Sequence, residues 1–188
     1  MKALRIFLNI LLSLVAIILI YLSTISGKYE VKRSIEINAS ANDITNYLSN
    51  LETWEEWSYW NLMDSTNELS FGDIRKGDGA TYTWTGIETG KGQVEILSVQ
   101  AGQEMKSMIH FREPFESEMN SDFRLSEGES GTIVEWVNYG EMPFLMRFMT
   151  QRMDAVFGTY LEIGLDSVKA KLEKRSMNSS GRILSIEE

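Results

Sequence analysis

The chain has no cysteine and a single histidine, His110, and these two shortages remove several kinds of chemistry at once. Without cysteine there is no disulfide, no thiolate nucleophile, no Cys-ligated metal and no lipid-modified cysteine anchor. One histidine cannot build a multi-histidine metal site. Positive charge is also scarce, with 18 Lys and Arg against 27 Asp and Glu, a net charge of -9 and a pI near 4.8. No basic cluster offers a footprint for phosphates, so nucleic acid is excluded as a partner. HExxH and GxSxG motifs are missing. The turns Gly77-Asp78-Gly79 and Gly90-Lys91-Gly92 lead into strands rather than into a helix N-terminus, so they punctuate hairpins and do not cradle phosphate. Neither a metal nor a cofactor is expected.

What is present is an ordinary folded composition: 188 residues, 43% hydrophobic and 24% charged. That is enough for one domain with a sizeable core and short appendages. The first appendage is plain. From Ile6 to Leu22 the chain is apolar except for Asn9 and Ser13. About 17 residues at 1.5 Å each give roughly 26 Å, enough to cross a hydrocarbon core. Lys2 and Arg5 precede the run, which favours a cytoplasmic N-terminus and a domain on the outer side. The expectation is a single-pass membrane protein with an uncleaved anchor and linker over residues 1–28. The alternative is a signal peptide cleaved after Thr24-Ile25-Ser26, releasing a form that begins near Gly27.

Beyond the anchor, Tyr29, Val31, Ile35 and Ile37 alternate with Glu30, Lys32, Ser34 and Glu36, which predicts a half-buried strand. Ser40 stands three residues before Asp43, an acidic form of the capping box, and Ile44, Tyr47, Leu48 and Leu51 follow at helical spacing. Trp54, Trp57 and Trp60 predict a short helix or tight turns covering a core edge. Residues 67–140 read as an antiparallel meander, with strands over Ala80–Ile87, Gln93–Val99, Gln103–Arg112, Glu116–Leu125 and Thr132–Tyr139. After Pro143, Met146, Met149, Met153, Phe157, Leu161, Leu165, Val168 and Leu172 recur every three or four residues and predict one long amphipathic helix. Gly158 and Gly164 interrupt it at a propensity cost of about 1 kcal/mol each, which implies close approach of another backbone or space for a ligand. The polar tail over residues 175–188 is expected to be mobile.

Several segments in this order resemble one superfamily. They are Val31–Ala39, Trp54-Glu55-Glu56-Trp57-Ser58-Tyr59-Trp60 with Asp64, Gly90-Lys91-Gly92, Phe111 with Pro114-Phe115, Gly131–Trp136, and Gly164-Leu165 before Val168-Lys169. Over roughly Tyr29–Lys174 the chain resembles the START-like (SRPBCC) superfamily in its polyketide cyclase/dehydrase branch. The resemblance implies an α+β helix-grip fold: a curved antiparallel sheet wrapped on a long C-terminal helix, spanning residues 29–174 and preceded here by one transmembrane helix. Proteins of this kind include lipid carriers, quinone-binding proteins, hormone receptors, polyketide cyclases and chaperone activators, so the fold does not choose an activity.

A helix gripped by a curved sheet encloses a space that side chains must fill or a ligand can occupy. Met146, Met149 and Met153 on the helix, with Met105, Met108 and Met119 on the strands, suit an adaptable apolar pocket or a plugged core equally well. Tyr82, Trp84 and Trp136 occupy inward-looking strand positions, and Phe157 continues the helical wall. Arg33 shares parity with Val31, Ile35 and Ile37; it either contacts the ligand or sits at the rim with its guanidinium in water. The candidate pocket wall is therefore Arg33, Tyr82, Trp84, Trp136, Met149, Met153 and Phe157, with no catalytic residue assigned. His110 shares a mixed, solvent-side face with Lys106, Met108 and Arg112, and the sequence shows no carboxylate placed to activate it. The expected function is binding of a hydrophobic small molecule (a lipid, quinone or polyketide-like compound) near the membrane held by Ile6–Leu22. The alternatives are a cyclase/dehydrase-type enzyme and a protein-docking module.

Overall fold

The computed structural model describes residues 2–184, with side chains through Arg175. Helix α1 (Lys2–Thr24) is 23 residues long, about 34 Å at 1.5 Å per residue. It is long and apolar enough to cross a membrane, a property it shares with signal sequences. Leu22 is its only buried residue. Strand β1 (Lys28–Ile37) follows almost at once.

Ser40 caps α2 (Ala41–Leu48) as the sequence predicts: its Oγ accepts from the Asp43 backbone N–H at 3.1 Å and donates to Asp43 Oδ2 at 2.6 Å. The tryptophan segment then winds through one 3₁₀ turn (Leu51–Thr53) and two single-turn helices, α3 (Trp54–Trp57) and α4 (Tyr59–Leu62). Six more strands follow: β2 (Glu68–Phe71), β3 (Thr81–Gly86), β4 (Gly90–Gln100), β5 (Glu104–Glu113), β6 (Ser117–Glu127) and β7 (Thr132–Glu141). They form one antiparallel sheet in the order β1-β7-β6-β5-β4-β3-β2. The register breaks twice in β4, between Lys91 and Gly92 and between Ile96 and Ser98, and such irregularities bend and twist a strand. Strand β2 was not anticipated from the sequence. Its alternation, Leu69 and Phe71 against Glu68 and Ser70, is only four residues long and gives too weak a period.

The C-terminal helix differs from the expected single α-helix at both ends. Residues Phe144–Arg152 wind as a 3₁₀ segment after Pro143, opened by the Met146 N–H to Pro143 carbonyl bond at 2.8 Å. Only from Met153 does α5 (Met153–Leu184) adopt α-geometry, and it continues past Lys174, where the domain was expected to end. Residues 185–188 of the expected tail lie outside the described residues. Helix α5 crosses the concave face of the sheet and buries Leu161, Leu165, Val168 and Leu172 against Val31, Ile37, Val134 and Trp136. The whole is the helix-grip α+β architecture.

Gly158 and Gly164 have distinct reasons to be glycine. A Cβ at Gly158 would collide with the Arg33 guanidinium, which crosses under the helix there, and one at Gly164 would press on the Trp136 ring at 2.6 Å. The close approach is therefore by side chains and not by another backbone.

Candidate functional site

Period-two alternation places Tyr82 and Trp84 of β3, Val94 of β4, Ile109 and Phe111 of β5, Met119 of β6, and Trp136 and Asn138 of β7 on the face that looks at α5. With Trp54, Ser58, Tyr59 and Trp60 from the short helices and Phe157, Tyr160 and Leu161 from α5, they enclose an inner cavity of about 50 Å³. A second, outer cavity of about 190 Å³ opens beside it. It is lined by Tyr29, Phe115, Met142, Met146 and Met153, among others, and by Glu88 and Glu113 at its mouth. Trp60, Phe111 and Phe157 border both cavities. Trp60 stacks on Phe157 with centroids 6.4 Å apart and an interplanar angle of 11°, and meets Phe111 edge-on at 5.7 Å. These three rings form a partition between the two spaces.

The partition stands on a braced scaffold. Gly92 leaves room for the Trp84 indole, whose ring a Cβ there would strike, and Trp84 Nε1 donates to the Thr89 carbonyl at 3.2 Å. Asp64 holds the β3–β4 turn. Its Oδ2 accepts from the backbone N–H groups of Glu88 at 2.8 Å and Thr89 at 3.1 Å, and its Oδ1 accepts from Thr66 N–H at 2.9 Å. The Thr66 hydroxyl and these backbone donors hold the Asp64 carboxyl well below the usual carboxylate range. Below the partition, Trp136 stacks on Phe123 at 4.8 Å, and its Nε1 donates to Ser121 Oγ at 2.8 Å.

The cavity walls are apolar, but among the described residues five buried side-chain atoms have no hydrogen-bond partner: Trp57 Nε1, Trp60 Nε1, Asn61 Oδ1, Asn138 Oδ1 and Arg147 Nε. Trp60 and Asn138 belong to the inner wall, one a donor and the other an acceptor. Tyr82 is fully enclosed; burial pushes its phenol up, so it stays neutral, and its hydroxyl accepts from Asn61 Nδ2 at 3.4 Å. In the outer cavity, burial pushes the Tyr29 phenol up to about 12. Among the described residues the inner wall has no carboxylate, imidazole, guanidinium or amine, so the polar groups seen there are hydroxyl, amide and indole.

The seven sequence-predicted residues separate cleanly. Tyr82, Trp84, Trp136 and Phe157 line the inner cavity, and Met153 and Phe157 line the outer one. Arg33 points under α5 but reaches neither cavity: its Nη1 donates to Asp154 Oδ1 at 2.8 Å and its Nε to Glu162 Oε1 at 2.5 Å. That double pairing holds it at the sheet edge, the rim position. Met149 is 38% exposed and lines neither cavity, because the 3₁₀ winding rotates it off the stripe that an α-helix would have given it. Among the strand methionines, Met119 lines the inner cavity and Met105 is buried core, whereas Met108 lies on the opposite face with His110. The carboxylate missing from the sequence reading of His110 is Glu118, across the β5–β6 pair, with Oε1 3.1 Å from Nδ1; both lie on the outer face, away from the cavities.

The sequence places Trp54 and Trp60 at a core edge and does not single out Asn138 or Tyr160 as wall residues, yet all four line the inner cavity. Asn138 carried a signal: it shares parity with Val134 and Trp136, a lone amide on an apolar face.

Comparison with known proteins agrees with this fold. A family model described as polyketide cyclase / dehydrase and lipid transport matches residues 28–173. A search of curated proteins finds no match. Among solved structures, a protein of unknown function from Staphylococcus aureus superposes with a TM-score of 0.61 at 13% identity, covering 81% of this chain and 98% of that one. The di-domain ARO/CYC StfQ from the steffimycin biosynthetic pathway gives 0.59 at 12% identity, covering 79% of this chain and 52% of that one. The Aha1 dimer from Colwellia psychrerythraea gives 0.51 at 17% identity, covering 77% and 96%. At such identities the likeness concerns the fold. The match of the family model over residues 28–173 is what assigns the chain, and it belongs to the polyketide cyclase/dehydrase and lipid transport family.

Proposed function

We propose that the chain is a membrane-anchored binding protein for a hydrophobic small molecule with a flat ring body and a polar oxygen. The observation that carries this reading is the inner cavity, walled by aromatic rings yet holding an unpaired donor, Trp60 Nε1, and an unpaired acceptor, Asn138 Oδ1. Buried polar atoms without partners are costly, and a ligand hydroxyl is both donor and acceptor. Rings stack on rings, which favours a quinol or phenolic polyketide-like body over a saturated acyl chain.

The inner cavity of about 50 Å³ is far smaller than the ~300–1,000 Å³ of drug-sized ligand sites. Occupancy therefore requires the Trp60–Phe111–Phe157 partition to open and join the two spaces. The absence of charged acid–base groups from the inner wall supports a carrier over a catalyst of ring closure. In this reading α1 remains as the anchor, Lys2 and Arg5 stay on the cytoplasmic side, and residues 29–174 form the binding domain outside.

The test is a thermal-shift series on the detergent-solubilised full chain against quinones, hydroquinones, fatty acids and phospholipids. Wild type should be stabilised by ring compounds bearing a hydroxyl, and Met153→Trp, which fills the outer cavity, should abolish that shift while the chain stays folded. No shift with any compound would remove the binding reading. Turnover of a reactive polyketide chain without stable binding would favour the enzyme.

A further inference from the structure

The ends of the sheet differ in a way that the pocket alone does not explain. Strand β1 starts at Lys28, four residues after α1 ends at Thr24. Lys28 pairs with Glu141 at the end of β7, Met119 near the start of β6 pairs with Gly140, and Phe111 near the end of β5 pairs with Ser117. Lys91, at the start of β4, pairs with Glu113. The β3–β4 turn, the β5–β6 turn and the 3₁₀ segment after β7 therefore all lie at the end of the sheet from which α1 departs. The tie is direct: Met142 N–H donates to the Gly27 carbonyl at 2.8 Å, and the Thr150 hydroxyl donates to the Ser26 carbonyl at 3.3 Å.

Each of these three tips exposes a large apolar side chain. Ile87 in the β3–β4 turn is 84% exposed, Phe115 in the β5–β6 turn 61%, Leu145 in the 3₁₀ segment 65% and Phe148 56%. At the opposite end the β4–β5 turn is Ala101-Gly102-Gln103 and the β6–β7 turn is Gly128-Glu129-Ser130-Gly131; the exposed large apolar residues at or near that end are Ile74 at 52%, Leu97 at 46% and Ile133 at 37%, the last two within strands rather than at turns. The outer cavity opens at the apolar end, between Phe115, Met142, Pro143 and Met146.

We propose that Ile87, Phe115, Leu145 and Phe148 insert into the outer leaflet of the bilayer that α1 spans, so that the outer cavity opens onto lipid and exchanges its ligand with the membrane. The proposal rests on the membrane-anchored reading above. A helix that leaves the bilayer at Thr24 holds this end of the sheet against the interface, and contiguous apolar tips there have lipid as their nearest apolar phase. Charge is not what this surface recognises. Basic Lys28, Lys91 and Arg147 are interleaved with acidic Glu88, Glu113 and Glu141, and two of these bases are paired within the protein: Lys91 with Glu113 and Arg147 with Glu141. Insertion is therefore apolar and tolerates neutral headgroups.

The lack of native cysteine makes site-specific labelling direct. Single variants Ile87→Cys, Phe115→Cys and Leu145→Cys, with Ala101→Cys as the distal control, would be made in the full chain, labelled with a nitroxide and reconstituted into phosphatidylcholine vesicles. Depth is read from collisions with oxygen against a water-soluble nickel chelate. Labels at 87, 115 and 145 should lie ~5–10 Å inside the headgroup boundary, and the label at 101 should be fully aqueous. Equal nickel accessibility at all four positions overturns the proposal. Protection from both nickel and oxygen at 87, 115 and 145 also overturns it, since that marks a protein contact such as a second copy. Flotation of the same samples separates the two readings. Vesicle-bound chain with aqueous tips removes only the inserted rim, whereas chain left in the soluble fraction removes the anchor and the rim with it.

Discussion

Replacing Phe157 by alanine removes the helical third of the partition, and its consequences can be worked from the structure. Phe157 is half-buried, stacked on Trp60 at 6.4 Å and edge-on to Tyr160 at 5.9 Å. Its loss frees roughly 100 Å³ between the two cavities, which at ~24 cal/mol per Å³ of unfilled space costs about 2.4 kcal/mol. The transfer term for a half-buried ring adds about 1 kcal/mol, for a total near 3 kcal/mol. For a domain of this size that is a fall in Tm of about 6–12 °C. Ligand binding should move the other way, because the entry barrier is gone and the two cavities of about 50 and 190 Å³, joined by the roughly 100 Å³ set free, reach the lower end of the ~300–1,000 Å³ range of small-molecule sites. The assay is thermal unfolding of the detergent-solubilised full chain, with and without a hydroquinone at about 100 times its Kd, where ligand should restore roughly 2.7 kcal/mol. A Tm unchanged by Phe157→Ala, or a destabilised variant that no ring compound rescues, would refute the assignment of Phe157 as a gate between ligand spaces.

Three further predictions follow from other parts of the fold. Gly158→Ala should stabilise an Arg33→Ala background by up to ~1 kcal/mol, the ordinary helix preference for alanine, and should lose most of that gain in wild type, where the new methyl displaces the Arg33 guanidinium from its carboxylate pairs; urea denaturation of wild type, the two single variants and the double variant reads the difference, and an equal gain in both backgrounds would refute the contact. Asp64 has its folded-state pKa depressed by the Thr66, Glu88 and Thr89 donors, so it contributes stability that is fully present above its unfolded value near ~3.9 and is lost as pH falls toward the folded value. Asp64→Asn should lower Tm at pH 7 and flatten its decline between about pH 4 and 2 relative to wild type. Residues 29–174 without α1 should unfold cooperatively, with near-UV dichroism from the packed tryptophans, because Leu22 is the only residue of α1 that is buried; a product with far-UV but no near-UV signal would show that the anchor is needed for tertiary packing.

Much of the fold was legible because it rests on local periods. The alternation of β1, the Ser40 cap and the stripe from Leu161 to Leu172 each follow from residue spacing, and the structure shows all three. Elements where a short period or a competing geometry decided were less legible. Strand β2 is too short to show its alternation, and the 3₁₀ winding of Phe144–Arg152 is compatible with the same three-residue spacing that suggested an α-helix. The candidate site was half readable. Parity identified Tyr82, Trp84 and Trp136, which face inward whatever the strands pair with. It could not separate Arg33 from the cavity, since its two carboxylate partners stand 121 and 129 residues away in sequence. Nor could it show that Trp60, on a single-turn helix, meets Phe111 and Phe157 from two other elements, a meeting that only tertiary structure creates.

The central claim is that the aromatic cavity holds an apolar ring compound through Trp60 and Asn138. Native mass spectrometry of the full chain, extracted from its membrane in mild detergent, tests it most directly. The account predicts a bound small molecule on wild type, identified by its fragments as an apolar ring bearing a hydroxyl, and lost from both Met153→Trp and Asn138→Leu. Bare chain in every sample, or the same adduct on wild type and both variants, would contradict it.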